Sequence, residues 1–113
     1  MTVVNLLPVL PVADFETALT WYGTVFGRGP DRRPMDGCAE WQLAATCGVQ
    51  VYRMPEAAGR TSVIVGVDDV DAQAAELAAR GMPVEPYDVP SGQFRLAAVQ
   101  DPDGNTLTFA QER

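Results

Sequence analysis

Few side chains in this sequence could do chemistry, because the chain of 113 residues contains no histidine. That absence removes the usual proton shuttle and the commonest transition-metal ligand together. A serine or cysteine nucleophile needs a neighbouring base. No histidine exists to serve the four candidate nucleophiles, which are Ser62, Ser91, Cys38 and Cys47.

Carboxylates offer the remaining route to catalysis. Glu40 or Asp88 could act as a base, but no spacing in the sequence pairs two acids for general acid–base work. We interpret both as solvated charges in loops or at strand ends, and Tyr52 and Tyr87 as packing aromatics rather than acids. The sequence therefore predicts no catalytic residues.

The cysteines indicate a reducing compartment. A hairpin of residues 41–45 and 48–52 would place residue 38 opposite residue 55, so Cys38 and Cys47 would lie apart and both thiols would stay reduced. The N-terminus has no signal-peptide pattern, and no apolar run approaches the roughly 18 residues that cross a membrane. We expect a cytoplasmic protein.

The charge balance narrows the choice of partners. The formal net charge of −7 disfavours nucleic acid and anionic membranes. It would suit a cationic ligand, although acidity of this kind also serves simple solubility.

Two rounds of elements must position these side chains. The first round is predicted to contain an edge strand, a helix capped by Asp14 and ended by Gly27 or Gly29, a loop, a hairpin and a linker. Phe15, Leu19, Tyr22 and Phe26 recur at helical spacing. The edge strand is Val3–Leu10, the loop is Arg28–Gly37, the hairpin is Trp41–Ala45 with Val49–Arg53, and the linker is Pro55–Arg60.

The second round repeats this order. A strand of β-branched residues leads into a helix capped by Asp68 or Asp69, with Val70, Ala74 and Leu77 on one face and an end at Gly81. A strand interrupted by Pro86 and a final hairpin follow, and the hairpin turns at Asp101-Pro102-Asp103-Gly104-Asn105. The strands are Thr61–Val67, Val84–Val89, Phe94–Val99 and Thr106–Phe109.

The two rounds also match in sequence. Val12-Ala13-Asp14-Phe15-Glu16 corresponds to Val67-Asp68-Asp69-Val70-Asp71, and Trp41-Gln42-Leu43-Ala44-Ala45 to Phe94-Arg95-Leu96-Ala97-Ala98. An internal βαβββ repeat accounts for both matches and makes Trp41 and Phe94 equivalent. A half of about 55 residues buries too little surface alone, so the halves must cooperate or pair with another chain.

These features resemble the vicinal oxygen chelate superfamily, the group of glyoxalase I, bleomycin-resistance proteins, fosfomycin-resistance enzymes and extradiol dioxygenases. The resemblance rests on the repeat, on Leu10-Pro11-Val12-Ala13-Asp14-Phe15, on Val67–Asp71 and on the terminal Asp101–Asn105 turn. It implies an α+β fold in which two βαβββ modules, 1–57 and 58–113, form a curled, cup-shaped mixed sheet with helices on its convex face. It also implies a homodimer.

The same resemblance implies where a divalent metal would lie in the family's enzymes. The matching positions are occupied here by Leu7, Val51, Ser62 and Thr108. A protein binds a divalent ion in competition with water through carboxylate, imidazole or thiolate ligands. Two aliphatic and two hydroxyl side chains therefore cannot hold one. We therefore predict no metal and no other cofactor.

Strand alternation predicts an apolar and weakly polar hollow. Leu7, Val9, Val49, Val51, Ser62, Ile64, Thr106 and Thr108 should face it, with Trp41 and Phe94 at the rim. These two aromatics could stack on a flat ligand, or pack within the sheet or a dimer seam. Arg53 and Arg95 could clamp an anion, or form surface salt bridges.

The function predicted from these features is non-catalytic binding of a planar or cationic small molecule by a homodimer of the bleomycin-resistance type, with antibiotic sequestration as one such role. Two alternatives stay open, a metal-independent lyase or isomerase and a dimeric interaction module. The predicted ligand-binding residues are Leu7, Trp41, Val51, Ser62, Phe94 and Thr108.

Overall fold

The computed structural model describes residues 1–113 and contains two rounds of strand, helix and hairpin, which confirms the predicted α+β class. The helices are α1 (Phe15–Phe26) and α2 (Val70–Ala79). Neither is long and apolar enough to cross a membrane. The strands are β1 (Val9–Val12), β2 (Cys38–Ala44), β3 (Cys47–Arg53), β4 (Ser62–Gly66), β5 (Tyr87–Asp88), β6 (Phe94–Gln100) and β7 (Thr106–Glu112).

The strands form two open mixed sheets rather than one continuous sheet. The first has the order β1-β3-β2 and the second the order β4-β7-β6-β5. In each sheet the strand before the helix pairs in parallel with the last strand of the same round. The first sheet has only an isolated bridge between Arg32 and Glu40 where the second has β5.

Local capping chemistry sets the helix ends as predicted. The Asp14 carboxylate accepts a hydrogen bond from the Thr17 N–H at 3.1 Å, and Gly27 ends α1 in the left-handed conformation at φ 73°. Of the two candidate caps for α2, Asp69 is the one used, and it accepts from the Ala72 N–H at 3.0 Å.

The two halves share one hydrophobic core. Its cluster of 15 buried residues includes Tyr22 and Trp41 from the first half and Leu77, Leu107 and Phe109 from the second. The predicted helix face of Val70, Ala74 and Leu77 is buried as expected. The prediction that the halves must cooperate is therefore met within one chain.

Two predicted strands are shorter in the structure. In place of Val3–Leu10, the ladder of β1 begins at Val9, and only backbone groups of Leu6 and Pro8 pair with the chain around β3. In place of Val84–Val89, β5 spans Tyr87–Asp88. Pro86 lacks an N–H, so the ladder can start only after it.

The register of the first hairpin differs from the prediction. Cys38 lies opposite Tyr52 instead of residue 55, because the chain turns at Ala45 and Thr46 and a bulge falls between Gln42 and Ala44. Both thiols are free, as predicted, with Cys38 buried and Cys47 exposed.

This register also changes the correspondence between the halves. The caps Asp14 and Asp69 align Val9 with Ile64, and these residues pair with Gln50 and Thr108 respectively. Gln50 is therefore the repeat mate of Thr108, and the predicted mate, Val51, is wrong by one residue.

The predicted equivalence of Trp41 and Phe94 is also wrong. Trp41 lies opposite Val49 in the middle of its hairpin, and the same position in the second hairpin is Val99, opposite Leu107. Phe94 lies at the far end of β6, opposite Glu112. The short matching segments on which the prediction rested align elements but not their registers.

Candidate ligand-binding site

The Asp101–Asn105 turn is a structural device, because every acceptor of Asp101 is occupied. One carboxylate oxygen accepts from the backbone N–H groups of Asp103, Gly104 and Asn105, each at 2.9 Å. The other accepts from the Tyr22 hydroxyl at 2.7 Å and the Asn105 amide at 2.8 Å. Burial raises the pKa of Tyr22 above its ordinary value, and the hydrogen bond from its hydroxyl to Asp101 raises it further. The hydroxyl therefore stays protonated.

The same turn joins the two halves of the chain. The Asn105 amide donates to the Pro11 carbonyl at 2.7 Å and accepts from the Thr61 N–H at 3.0 Å. Asp103 accepts from the Ala13 N–H at 3.1 Å. We call the Asp101–Asn105 turn, with these contacts and those of Asp101 described above, the clasp. It leaves no free polar atom of Asp101 or Asn105 for a ligand.

Two of the six predicted ligand-binding residues lie in the core. Val51 is fully buried on the side of β3 that packs against α1. Trp41 is also 0% exposed, donates from Nε1 to the Arg28 carbonyl at 3.0 Å, and packs against Tyr22 and Phe26. Neither presents surface to a ligand, so both leave the candidate set.

The expected orientation of Val49 and Val51 towards the hollow is also wrong, because both side chains lie in the core. A one-residue change of register moves every side chain of a strand to the opposite face of the sheet. Val49, opposite Trp41, and Val51, opposite Ala39, therefore contact the core, and Gln50 faces away from it.

The other four predicted residues remain accessible. Ser62 and Phe94 are exposed, and Leu7 and Thr108 are half-buried. Ser62, Phe94 and Thr108 lie on the same side of the second sheet, whereas Leu7 belongs to the chain before β1. None of the six predicted residues lines any of the five main cavities.

The second sheet presents an uncovered side. We call its central part, formed by Ser62, Ile64, Ala98, Thr106 and Thr108, the open face. Ile64 is 73% exposed, whereas its neighbours Val63 and Val65 pack against the core. Thr108 lies between Ile64 and Ala98. Ser62, Ile64, Thr106 and Thr108 share this side as the alternation predicted, but it is an uncovered surface of the chain and not the wall of a hollow.

The first sheet carries a different surface, which sequence reasoning missed. Glu40, only 7% exposed, accepts from Arg32 at 2.6 and 3.0 Å through one oxygen and from the Gln50 amide at 2.9 Å through the other. Hydrogen bonds from Arg32, then from Gln50, hold the pKa of Glu40 below its ordinary value against the opposing effect of burial.

Gln42 and Asn5 extend this surface. The two side-chain amides exchange hydrogen bonds at 3.2 and 2.9 Å. We call the surface formed by Asn5, Arg32, Glu40, Gln42 and Gln50 the polar face. It lies on the side of β2 and β3 that is opposite the core.

A signal for the polar face is present in the sequence. Glu40 and Gln42 alternate with Ala39, Trp41 and Leu43, which is the pattern of a strand with one side facing the core and the other facing solvent. This alternation places Trp41 in the core and Glu40 on the opposite side, whatever the register of the hairpin.

Glu40 is reached from two cavities. One, of about 400 Å³, is bordered by Arg32 and Glu40 together with Met35, Cys38 and Gln50. The other, of about 280 Å³, is bordered by the same ion pair together with Asn5 and Gln42. The Arg32–Glu40 pair is therefore the shared wall of two hollows.

The positions that correspond to metal ligands do not fit a metal ion. With the corrected register they are Leu7, Gln50, Ser62 and Thr108, which offer one amide, two hydroxyls and no charge. No three His, Cys, Asp or Glu side chains lie together so that they could hold an ion.

The two arginines considered as an anion clamp are engaged in surface ion pairs. Arg53 contacts Asp36 at 3.2 Å. Arg95 contacts Asp71 at 3.0 Å and Asp88 at 3.4 Å. This confirms the alternative of surface salt bridging.

Comparison with known proteins gives one family for nearly the whole chain. Residues 4–109 match the Glyoxalase/Bleomycin resistance protein/Dioxygenase superfamily. No curated protein matches closely enough to serve as a relative.

Solved structures of similar proteins share the fold. A glyoxalase/bleomycin resistance protein from Catenulispora acidiphila is 30% identical with a TM-score of 0.89, covering 97% of this chain and 99% of that one. The antibiotic-binding protein TnmS3 from Streptomyces sp. CB03234 is 25% identical with a TM-score of 0.74, over 100% of both chains. A bleomycin-binding protein complexed with bleomycin is 22% identical with a TM-score of 0.78, over 96% and 98%, which shows the fold alone.

Proposed function

Because this chain belongs to the Glyoxalase/Bleomycin resistance protein/Dioxygenase superfamily, we propose that it binds a planar or cationic small molecule without chemical change, in the manner of a bleomycin-resistance protein. The supporting observation is the open face, where Ile64, Ala98 and Thr108 offer contact surface but no charge. Such a surface can hold a flat guest but cannot polarise it.

A second copy of the chain completes the site in this proposal. The open face leaves Ile64 exposed to solvent, and the cavities of the single chain do not include it together with the polar face. A homodimer would cover the apolar surface and enclose a ligand between chains. The division into modules 1–57 and 58–113 and a cytoplasmic location belong to the same proposal.

The alternative, a metal-independent lyase or isomerase, requires a base. Glu40 is the buried carboxylate available, and the hydrogen bonds that lower its pKa make it a weaker base. Asp101 is saturated by five donors within the clasp. These observations favour binding over catalysis.

A thermal-shift screen against planar and cationic antibiotics, bleomycin among them, tests the proposed function. A ligand present at 100 times its Kd should add about 2.7 kcal/mol to the free energy of unfolding. Thr108→Arg places a long charged chain on the open face and should abolish the shift. Thr20→Arg, at an exposed position of α1, makes the same charge change away from that face and should keep it.

Two results would contradict the proposed function. One is that no compound of these classes raises the melting temperature. The other is that Thr108→Arg binds as tightly as the wild type, since the open face would then not be part of the site.

A further inference from the structure

We propose that Glu40 is the recognition group for an amidinium or guanidinium on the ligand, and that Arg32 occupies this position until a ligand displaces it. The inference rests on the proposed function and names the chemistry of one end of the guest. It concerns the polar face, which the resemblance to other proteins did not single out.

The first argument is the asymmetry of the ion pair. Glu40 is almost fully buried, whereas the Arg32 side chain is 69% exposed. A buried carboxylate needs a cation or hydrogen-bond donors near it, but an exposed arginine loses little when it returns to water. Replacing the Arg32 guanidinium by another cation at Glu40 therefore costs the protein little free energy.

The second argument is that Arg32 can leave without disturbing the loop. Its backbone is held independently of the side chain, because the Glu40 N–H donates to the Arg32 carbonyl at 2.8 Å and the Arg32 N–H donates back at 3.3 Å. Rotation of the side chain therefore moves only the guanidinium. Gln50 continues to hold the second oxygen of Glu40 at 2.9 Å.

The third argument is the space that becomes available. The ion pair separates the cavity beside Met35 and Cys38 from the cavity beside Asn5 and Gln42. Movement of the Arg32 side chain would join them into one hollow whose wall carries Glu40, together with Asp31 on one side and Arg33 on the other. A guest could then place its cation on Glu40 and extend to either side.

The geometry points to a forked donor. Nε and Nη2 of Arg32 both donate to the same oxygen of Glu40. A planar group with adjacent N–H donors, an amidinium or a guanidinium, can reproduce these two bonds, whereas a single-point ammonium cannot. The net charge of −7 also favours the approach of a cation.

Benzamidine and benzamide form a matched pair of probes, because both are planar and only benzamidine is cationic. We expect benzamidine to bind about tenfold more tightly, the ratio that one charge-assisted hydrogen bond supplies. Binding is measured by titration of the full chain followed by two-dimensional amide NMR. The shifts should include the amides of Arg32, Glu40 and Gln50.

Two variants should change this preference in opposite directions. Arg32→Ala removes the competing cation and should tighten benzamidine binding several-fold. Glu40→Gln keeps the shape and the contact to Gln50, and should make the two probes bind equally. Arg60→Ala makes the same charge change as Arg32→Ala at an exposed linker residue and should leave binding unchanged.

Arg32→Gln provides a second test should Arg32→Ala fail to fold, since it removes the charge but keeps a donor for Glu40. The inference is overturned if benzamidine shows no preference over benzamide, or if either Arg32 variant weakens binding as Glu40→Gln does. The last result would identify the pair as a structural ion pair. Neither result would affect the antibiotic screen, so the proposed function could stand while this inference fails.

Discussion

Asn105 shows how much of this fold depends on a single side chain. It is fully buried, and its amide connects β1, the residue before β4 and the turn before β7 through three hydrogen bonds. Each bond satisfies a group that would otherwise be unpaired within the protein. The residue therefore acts in stability, and a ligand role for the turn is not required to explain its sequence.

Asn105→Ala should lower the free energy of unfolding by about 3 kcal/mol, because it leaves the Pro11 carbonyl and the Thr61 N–H without their partner. Urea denaturation measures the change. Asn5→Ala removes an amide that pairs only with Gln42 and should cost under about 1 kcal/mol. Equal costs for the two variants would show that the clasp does not stabilise the fold.

The elements depend on close approaches between chain segments as well as on their own hydrogen bonds. The linker between the two halves contains a 3-10 turn at Pro55–Ala57 and then passes directly over the clasp. Gly59 has φ +83°, and a Cβ there would overlap the Asp103 carbonyl oxygen. The linker can lie at this place only with a glycine.

Gly59→Ala should therefore destabilise the protein by about 1–3 kcal/mol, through backbone strain and displacement of the clasp. The shift in urea midpoint reports this loss. Gly29→Ala is the matched control, since its Cβ would meet nothing within 4 Å and its φ is not positive. A neutral Gly59→Ala would mean that the linker moves freely relative to the turn.

The whole molecule is held together by contacts between the halves at two places. The clasp joins β1 to the last hairpin, and Arg80 at the end of α2 donates to the Val25 carbonyl at 2.7 Å and the Thr24 carbonyl at 3.3 Å. These contacts and the shared core fix one half on the other. They leave the open face of the second sheet free for the proposed second copy.

Ile64→Glu should convert the proposed dimer to a monomer, because it places a charge in the covered apolar surface. Light scattering after size exclusion should give about twice the chain mass of 12.2 kDa for the wild type and one chain mass for the variant. Ala75→Glu, on the exposed side of α2, should stay dimeric. A monomeric wild type at high concentration would rule out closure of the site by a second copy.

Local chemistry was decisive wherever the sequence determined the structure. Asp14, Asp69 and Gly27 mark helix ends because a carboxylate can cap free N–H groups and a glycine can adopt positive φ, whatever lies around them. The same holds for the final turn. Such signals determined the element order, and the segments shared by the two rounds determined the internal repeat. The fold class followed from the resemblance to the superfamily.

Only the tertiary structure decided the register of the first hairpin and with it the residues that lie opposite one another there. Side chains alternate every residue, and the observed register sets Trp41 opposite Val49 and Glu40 opposite Gln50, so Trp41 and Val51 face the core and Glu40 and Gln50 face away from it. Register depends on the partner strand and on the helix that covers it, which lie far away in the sequence. The polar face was therefore determined by pairing, although its residues were visible in the sequence from the start.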